Sequence, residues 1–185
     1  QIMKTTKDIK ERKINMKEII YNTDNLKESE MTRTVTRAKV ILVNSKDEIL
    51  LANGSNTYFL IGGHVEDNES LEDCLIREVK EETGINLPRE KRTPVLNIKY
   101  LCKDYPTSGE NTLYIATYFY TKCDLKPDLG SINLTEDEKK GGFHLEYIPK
   151  KDIIKTLEDC LPVCTNEKIV IDTLEAIKEY LKMTA

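Results

Sequence analysis

The chain has 185 residues, a net charge of −4 and a pI near 5.4, and at roughly 100–200 residues per domain it amounts to one compact domain with at most a terminal extension. Hydrophobic residues make up 39% and charged residues 32%, enough apolar material for a core, so whole-chain disorder is excluded. The acidic balance argues against a surface for duplex DNA or RNA, and neither a membrane-length apolar run nor the apolar segment of a secretory signal is present, so a soluble, cytoplasmic protein is expected. Cys74, Cys102, Cys123, Cys160 and Cys164 are odd in number and irregularly spaced, and His64 and His144 are the only histidines. That fits reduced, mostly buried thiols better than a disulfide framework or a zinc site.

Residues 1–31 are rich in Lys and Glu with scattered apolar positions, which predicts an extension outside the core, at best a weak helix. The remainder, 32–185, reads as the folded domain. Val35 to Val43 alternates and then turns continuously apolar, and Ile49 to Ala52 forms a second β-like run. After the turn chemistry of Asn53-Gly54-Ser55-Asn56 a third run, Tyr58 to Ile61, stops at Gly62-Gly63. Ser70 as N-cap, apolar residues at helical spacing and Gly84 just past the end predict a helix over 70–83. Thr93 to Leu101 and Thr112 to Lys122 are β-branched and aromatic, as strands require. Beyond an acidic loop, Thr135 to Lys140, come a short strand at Phe143 to Ile148, a helix near Lys151 to Cys160 and an amphipathic helix over Asn166 to Met183. Elements mix without a regular β-α-β rhythm, so the class is α+β or irregular α/β.

The helix over 70–83 carries Glu78, Glu81 and Glu82 on one face. At 100° per residue from Leu71, these three fall at about 340°, 280° and 20°, within the stripe that holds Leu75, Val79 and Cys74, while Asp73, Arg77 and Lys80 take the opposite side. Carboxylates turned toward the protein body require a compensating cation. Arg77 can pair with one of them, and hard oxygen ligands without His or Cys suit Mg²⁺ or Mn²⁺. Just upstream, Gly62-Gly63 opens the backbone to close approach, where a carbonyl ligand or a phosphate contact can be presented.

Gly63, Glu69, Arg77, Glu78, Val79, Glu81, Glu82, Gly84 and Ile85 stand at the spacing G-x5-E-x7-R-E-U-x-E-E-x-G-U, where U is aliphatic. This segment matches the Nudix box at every fixed position, and the chain from about Met31 onward resembles the Nudix hydrolase family. The resemblance implies an α/β/α sandwich around a mixed β-sheet and hydrolysis of a nucleoside diphosphate linked to another moiety. It further implies Glu78, Glu81 and Glu82 as metal ligands with the Gly63 carbonyl, Arg77 as the residue that orients a carboxylate, and Glu69 and Gly84 as structural. The general base is sought among Glu78 and Glu82 of the box and Glu136 and Glu138 of the acidic loop, which otherwise reads as a solvated turn. Tyr58, Phe59, Tyr100 and Tyr105 are candidates to stack on a base, and His64 adjoins the phosphate region without a fixed catalytic role in the family. Two features depart from common family patterns: Leu60-Ile61 replaces Leu-Pro, and Ala52-Asn53 replaces an Arg. Lys99-Tyr100-Leu101 stands where ADP-ribose-cleaving members often have Pro, which argues against ADP-ribose. The expected partner is a small nucleotide, with no nucleic-acid duplex and no membrane. A homodimer is compatible with the sequence. The intact glutamates and regular box favour a hydrolase over a catalytically silent nucleotide-sensing Nudix module or an isopentenyl diphosphate isomerase.

Overall fold

In the computed structural model, which describes residues 16–185, eight strands form one mixed sheet: β1 (Lys17–Tyr21), β2 (Arg33–Val43), β3 (Glu48–Gly54), β4 (Thr57–Phe59), β5 (Ile61–His64), β6 (Thr93–Cys102), β7 (Thr112–Lys122) and β8 (His144–Pro149). The main path runs β1-β6-β7-β2-β3-β4, with β5 pairing β2 and β8 pairing β3. The β1/β6 and β2/β7 pairs are parallel and the others antiparallel. Helix α1 (Leu71–Thr83) packs on β5 and β2; the short α2 (Glu136–Lys140) precedes β8; α3 (Ile153–Cys160) and α4 (Glu167–Met183) pack together, with α4 against β4 and β6.

Strand alternation sorts the apolar side chains into two layers. Ala38, Val40 and Leu42 of β2 meet Cys74, Leu75 and Val79 of α1 on one face, whereas Ile41 and Val43 join Val170, Leu174 and Ile177 of α4 on the other. Two helical layers around a mixed sheet make the expected α/β/α sandwich. The predicted strands and helices recur within a few residues, with two refinements. Leu60 separates β4 from β5, so the run 58–61 is divided between two strands that pair with different partners. The acidic loop closes into α2, capped by Thr135, whose hydroxyl accepts from the Glu138 amide while the Glu138 carboxylate accepts from the Thr135 amide.

The expectation for residues 1–31 needs correction where it is described. Lys17–Tyr21 is not helical but an edge strand, in parallel register with Leu96 to Tyr100. Lys17, Ile19 and Tyr21 are partly buried while Glu18 and Ile20 are exposed, so a charged-looking stretch carries a period of two that a helical reading misses. Ile19 and Tyr21 pack against the α4-side core. Residues 1–15 of that expectation lie outside the described residues. No helix among the described residues is long and apolar enough to cross a membrane.

Candidate active site

The site begins with two glycines, the first of which no other residue could replace. Gly62 has φ +126°, and a Cβ there would lie 2.1 Å from the Ala38 carbonyl oxygen of β2. At Gly63 the obstacle is a side chain, since a Cβ would sit 2.3 Å from Glu78 Oε1. The turn therefore admits α1 close enough for its carboxylates to reach the end of β5. Ser70 caps the helix by accepting from the Asp73 amide at 3.1 Å, and Gly84 ends it in the left-handed region at φ +74°. The loop after β7 is pinned to the C-terminal end of α1 by the Asn133 amide, which donates to the Glu81 carbonyl at 2.8 Å. That contact brings Thr135 and Glu138 to the same cleft.

Arg77 organises the acids. Its Nε and Nη2 donate to the two oxygens of Glu69 at 2.8 and 2.9 Å, a bidentate pair, while Nη1 donates to Glu78 at 2.8 Å and Glu81 at 3.3 Å. This arrangement pulls Glu69 below the usual carboxylate range. Burial raises Glu78, with Arg77 opposing. Glu82 is 5% exposed, accepts from the Gly62 amide at 2.9 Å and is pushed up to about 7 by burial, against the pull of Lys39 and that amide. Lys39 of β2 donates to the Gly62 carbonyl, and burial pulls its ammonium down while Glu82 and Glu78 hold it up.

Among the described residues, no three acidic, His or Cys side chains converge tightly enough to enclose an ion by themselves. Mg²⁺ does not require such a cage, because it keeps several waters and commonly takes one or two carboxylates plus substrate oxygens. Glu78 and Glu81, which converge on one Arg77 nitrogen next to Gly63, fit that requirement in ligand type and number.

The acids face a cavity of about 860 Å³, large enough for a mononucleotide-sized ligand. Gly63, Arg77, Glu78, Glu81, Glu82 and Glu138 line it, as do Phe59, Tyr100 and Tyr105. Two expected residues do not. Glu136 pairs with Lys139 on the exposed side of α2, and Tyr58 turns toward β8, its hydroxyl donating to Glu146 at 2.5 Å. Tyr100 reaches the cavity, but its ring is already covered. Tyr21 stacks on it at 4.6 Å between centroids, and the Lys168 ammonium stands 3.4 Å from its centroid. A ring so close leaves no room for an ammonium on the same face, so Lys168 occupies the other. The hydroxyl donates to Asp172. Tyr100 is thus a wall of the cavity and not an open stacking platform. Reading the sequence alone missed Arg37 and Lys39 of β2, Tyr114 and Tyr118 of β7, and Lys168 and Asp172 of α4. The only signal for the first two was that Arg37 and Lys39 alternate with buried Ala38 and Val40.

Fold and site together define an α/β/α domain with an acidic loop-helix module at the mouth of a nucleotide-sized cavity. A model of the NUDIX domain family matches residues 33–159, and the chain belongs to the Nudix hydrolase family. It is 33% identical over 93 residues to the NAD-capped RNA hydrolase NudC of Photobacterium profundum, covering 48% of this chain and 32% of that protein. For the protein of the same name from Vibrio vulnificus the identity is 36% over 98 residues, covering 50% and 34%. The chain therefore spans about a third of the length of these curated relatives. Among solved structures, a MutT NUDIX hydrolase from Burkholderia pseudomallei superposes with a TM-score of 0.53 at 17% identity, covering 79% of this chain and 97% of that one. The NUDIX domain of Shewanella oneidensis NrtR, complexed with ADP ribose, gives 0.53 at 15%, covering 87% and 95%. These two likenesses concern the fold.

Proposed function

We propose that the chain hydrolyses a pyrophosphate bond in a nucleoside diphosphate linked to another moiety, with Mg²⁺ or Mn²⁺ as cofactor. The observation that carries this reading is the meeting of α1 with the glycine turn, where Glu78 lies against Gly63 and Glu82 accepts from the Gly62 amide at the end of the cavity. A pyrophosphate resists attack because its charged oxygens repel an incoming nucleophile, and a bound divalent ion supplies neutralisation and a more acidic water. Glu78, Glu81 and the Gly63 carbonyl are the groups that would hold the ion, with Glu82 as the third box carboxylate. Arg77, itself fixed by the Glu69 fork, keeps Glu78 and Glu81 aimed at one point. With Glu78 assigned to the ion, Glu82 and Glu138, which line the cavity, are the acids we assign to take the proton, and Glu136, which does not line it, is set aside. Phe59 and Tyr105 offer the aromatic surface for a base. The named activity of the NudC relatives makes nicotinamide dinucleotides one group of substrates to try.

A panel of ADP-ribose, NADH, dinucleoside polyphosphates and nucleoside triphosphates, with products measured under Mg²⁺, Mn²⁺ and EDTA, tests the reading. At least one compound should be cleaved in a metal-dependent manner. Cleavage that survives EDTA would remove the metal mechanism, and binding of panel members without turnover would make the protein a nucleotide-sensing module instead.

A further inference from the structure

Beside the carboxylates, β2 makes the cavity basic with Arg37 and Lys39. Arg37 of β2 stands in register with His64 of β5, and its Nη2 lies 3.3 Å from His64 Nε2. Among the described residues its guanidinium makes no ion pair, and its Nε is buried without a hydrogen-bond partner. Arg33 and Lys39 bear on the same imidazole. The nearby acid, Asp172 of α4, feels Arg37 but spends its hydrogen bond on Tyr100. An arginine whose Nε is buried with its donor unused, among other cations, is unfavourable in the free protein and is relieved by an anion. His64 follows Gly63 directly, and Arg37, Gly63 and His64 line the same cavity, which puts the guanidinium beside the glycine turn.

We propose that Arg37 forms a metal-independent anion subsite for the phosphoryl group adjacent to the one held at the glycine turn, with His64 as a positioning residue that fixes the guanidinium plane. The proposal rests on the reading of the cavity as a nucleoside diphosphate site. An arginine fork suits phosphate in two ways, since it offers paired donors and keeps its charge at any working pH. Lys39 is less suited, because its ammonium is drawn to the Gly62 carbonyl and toward Glu82.

The test is calorimetric titration of the full chain with inorganic pyrophosphate in EDTA and low salt. The parent should bind, Arg37→Gln should bind about tenfold more weakly or worse, and Arg37→Lys should fall between them. A change at exposed Arg89, which pairs with Asp73 outside the cavity, should leave binding as in the parent. Should Arg37→Gln fail to fold, the charge-conserving lysine variant still decides, because loss of the fork alone should weaken binding. Parent and both variants binding equally, or no metal-free binding by the parent, overturns the subsite. The two readings can fail separately. Arg37-dependent binding without hydrolysis of any nucleotide would retain the subsite and remove the hydrolase, whereas metal-dependent hydrolysis with Arg37-independent binding would do the reverse.

Discussion

At one end of the cavity the glycine turn and every acid but Glu138 come from a single stretch, Gly62 to Glu82, whereas the other end draws Val35, Tyr100, Tyr114 and Asp172 from four separate elements, with Tyr21 of a fifth stacked behind Tyr100. The local end is fixed by short-range constraints: a strand end, a glycine turn, a capped helix and one arginine that ties Glu69, Glu78 and Glu81 together. The assembled end depends on the register of β1, β6, β7 and β2, which sets Tyr21, Tyr100, Tyr114 and Val35 side by side in one row across the sheet. Chemistry concentrated in a local module and recognition spread over distant elements should respond differently to substitution, and that difference can be measured.

The largest effect is expected at the local end. Glu78→Gln keeps the shape of the side chain but removes a charge aimed at the ion, and turnover of the panel's best substrate should fall by at least about a hundredfold. The loss should be similar for every substrate cleaved, because the module acts on the phosphates alone. A variant within a few-fold of the parent, or losses that differ widely between substrates, would deny the separation of the two ends.

The same contrast explains what the sequence disclosed. The box was legible because its spacing encodes contacts between neighbours: Glu78 against Gly63, the Glu69 fork on Arg77, the Ser70 cap. Arg37 and Lys39 were hidden because a basic residue at alternate strand positions usually faces water, and only the approach of β5 and α4 closes over them. Tyr58 and Phe59 are adjacent, and nothing local says which one faces the cavity until the pairing of β4 with β3 sends Tyr58 to Glu146. Strand β1 was missed because its outward side chains, Glu18 and Ile20, gave a mixed texture, although Ile19 and Tyr21 belong to the core.

A smaller effect concerns the stored charge of the local end. Burial raises the folded-state pKa of Glu82 from 4.5 to about 7, so the native state binds a proton more tightly than the unfolded chain does. Metal-free stability should rise as pH falls from above 7 toward 4.5, and the charged form should be a liability at pH 8. Glu82→Gln removes that liability and can still accept from the Gly62 amide. In EDTA at pH 8 it should be more stable than the parent by on the order of 1–2 kcal/mol, or ~2–4 °C in melting temperature per kcal/mol. At pH 5 the gap should largely close. A variant that melts below the parent at pH 8 would mean that Lys39 needs Glu82 as its partner more than Glu82 suffers from burial.

The smallest effect is expected at the assembled end. Tyr21 is outside the segment matched by the family model, yet its ring stacks on Tyr100, whose hydroxyl is held by Asp172 and whose other face is covered by Lys168. Offset stacking contributes about 0.5–1.5 kcal/mol beyond area burial, so Tyr21→Leu, which keeps an apolar residue in β1, should loosen the Tyr100 wall without unfolding the sheet. The expected signature is a KM raised about two- to tenfold, by different factors for different substrates, with kcat unchanged because this variant leaves the carboxylates and Arg77 in place. Pyrophosphate binding should be unaffected, since the ligand has no base to meet the wall. A fall in kcat at constant KM would show that the aromatic row supports the chemistry itself. Identical kinetics to the parent would mean that Tyr21 only seals the edge of the sheet.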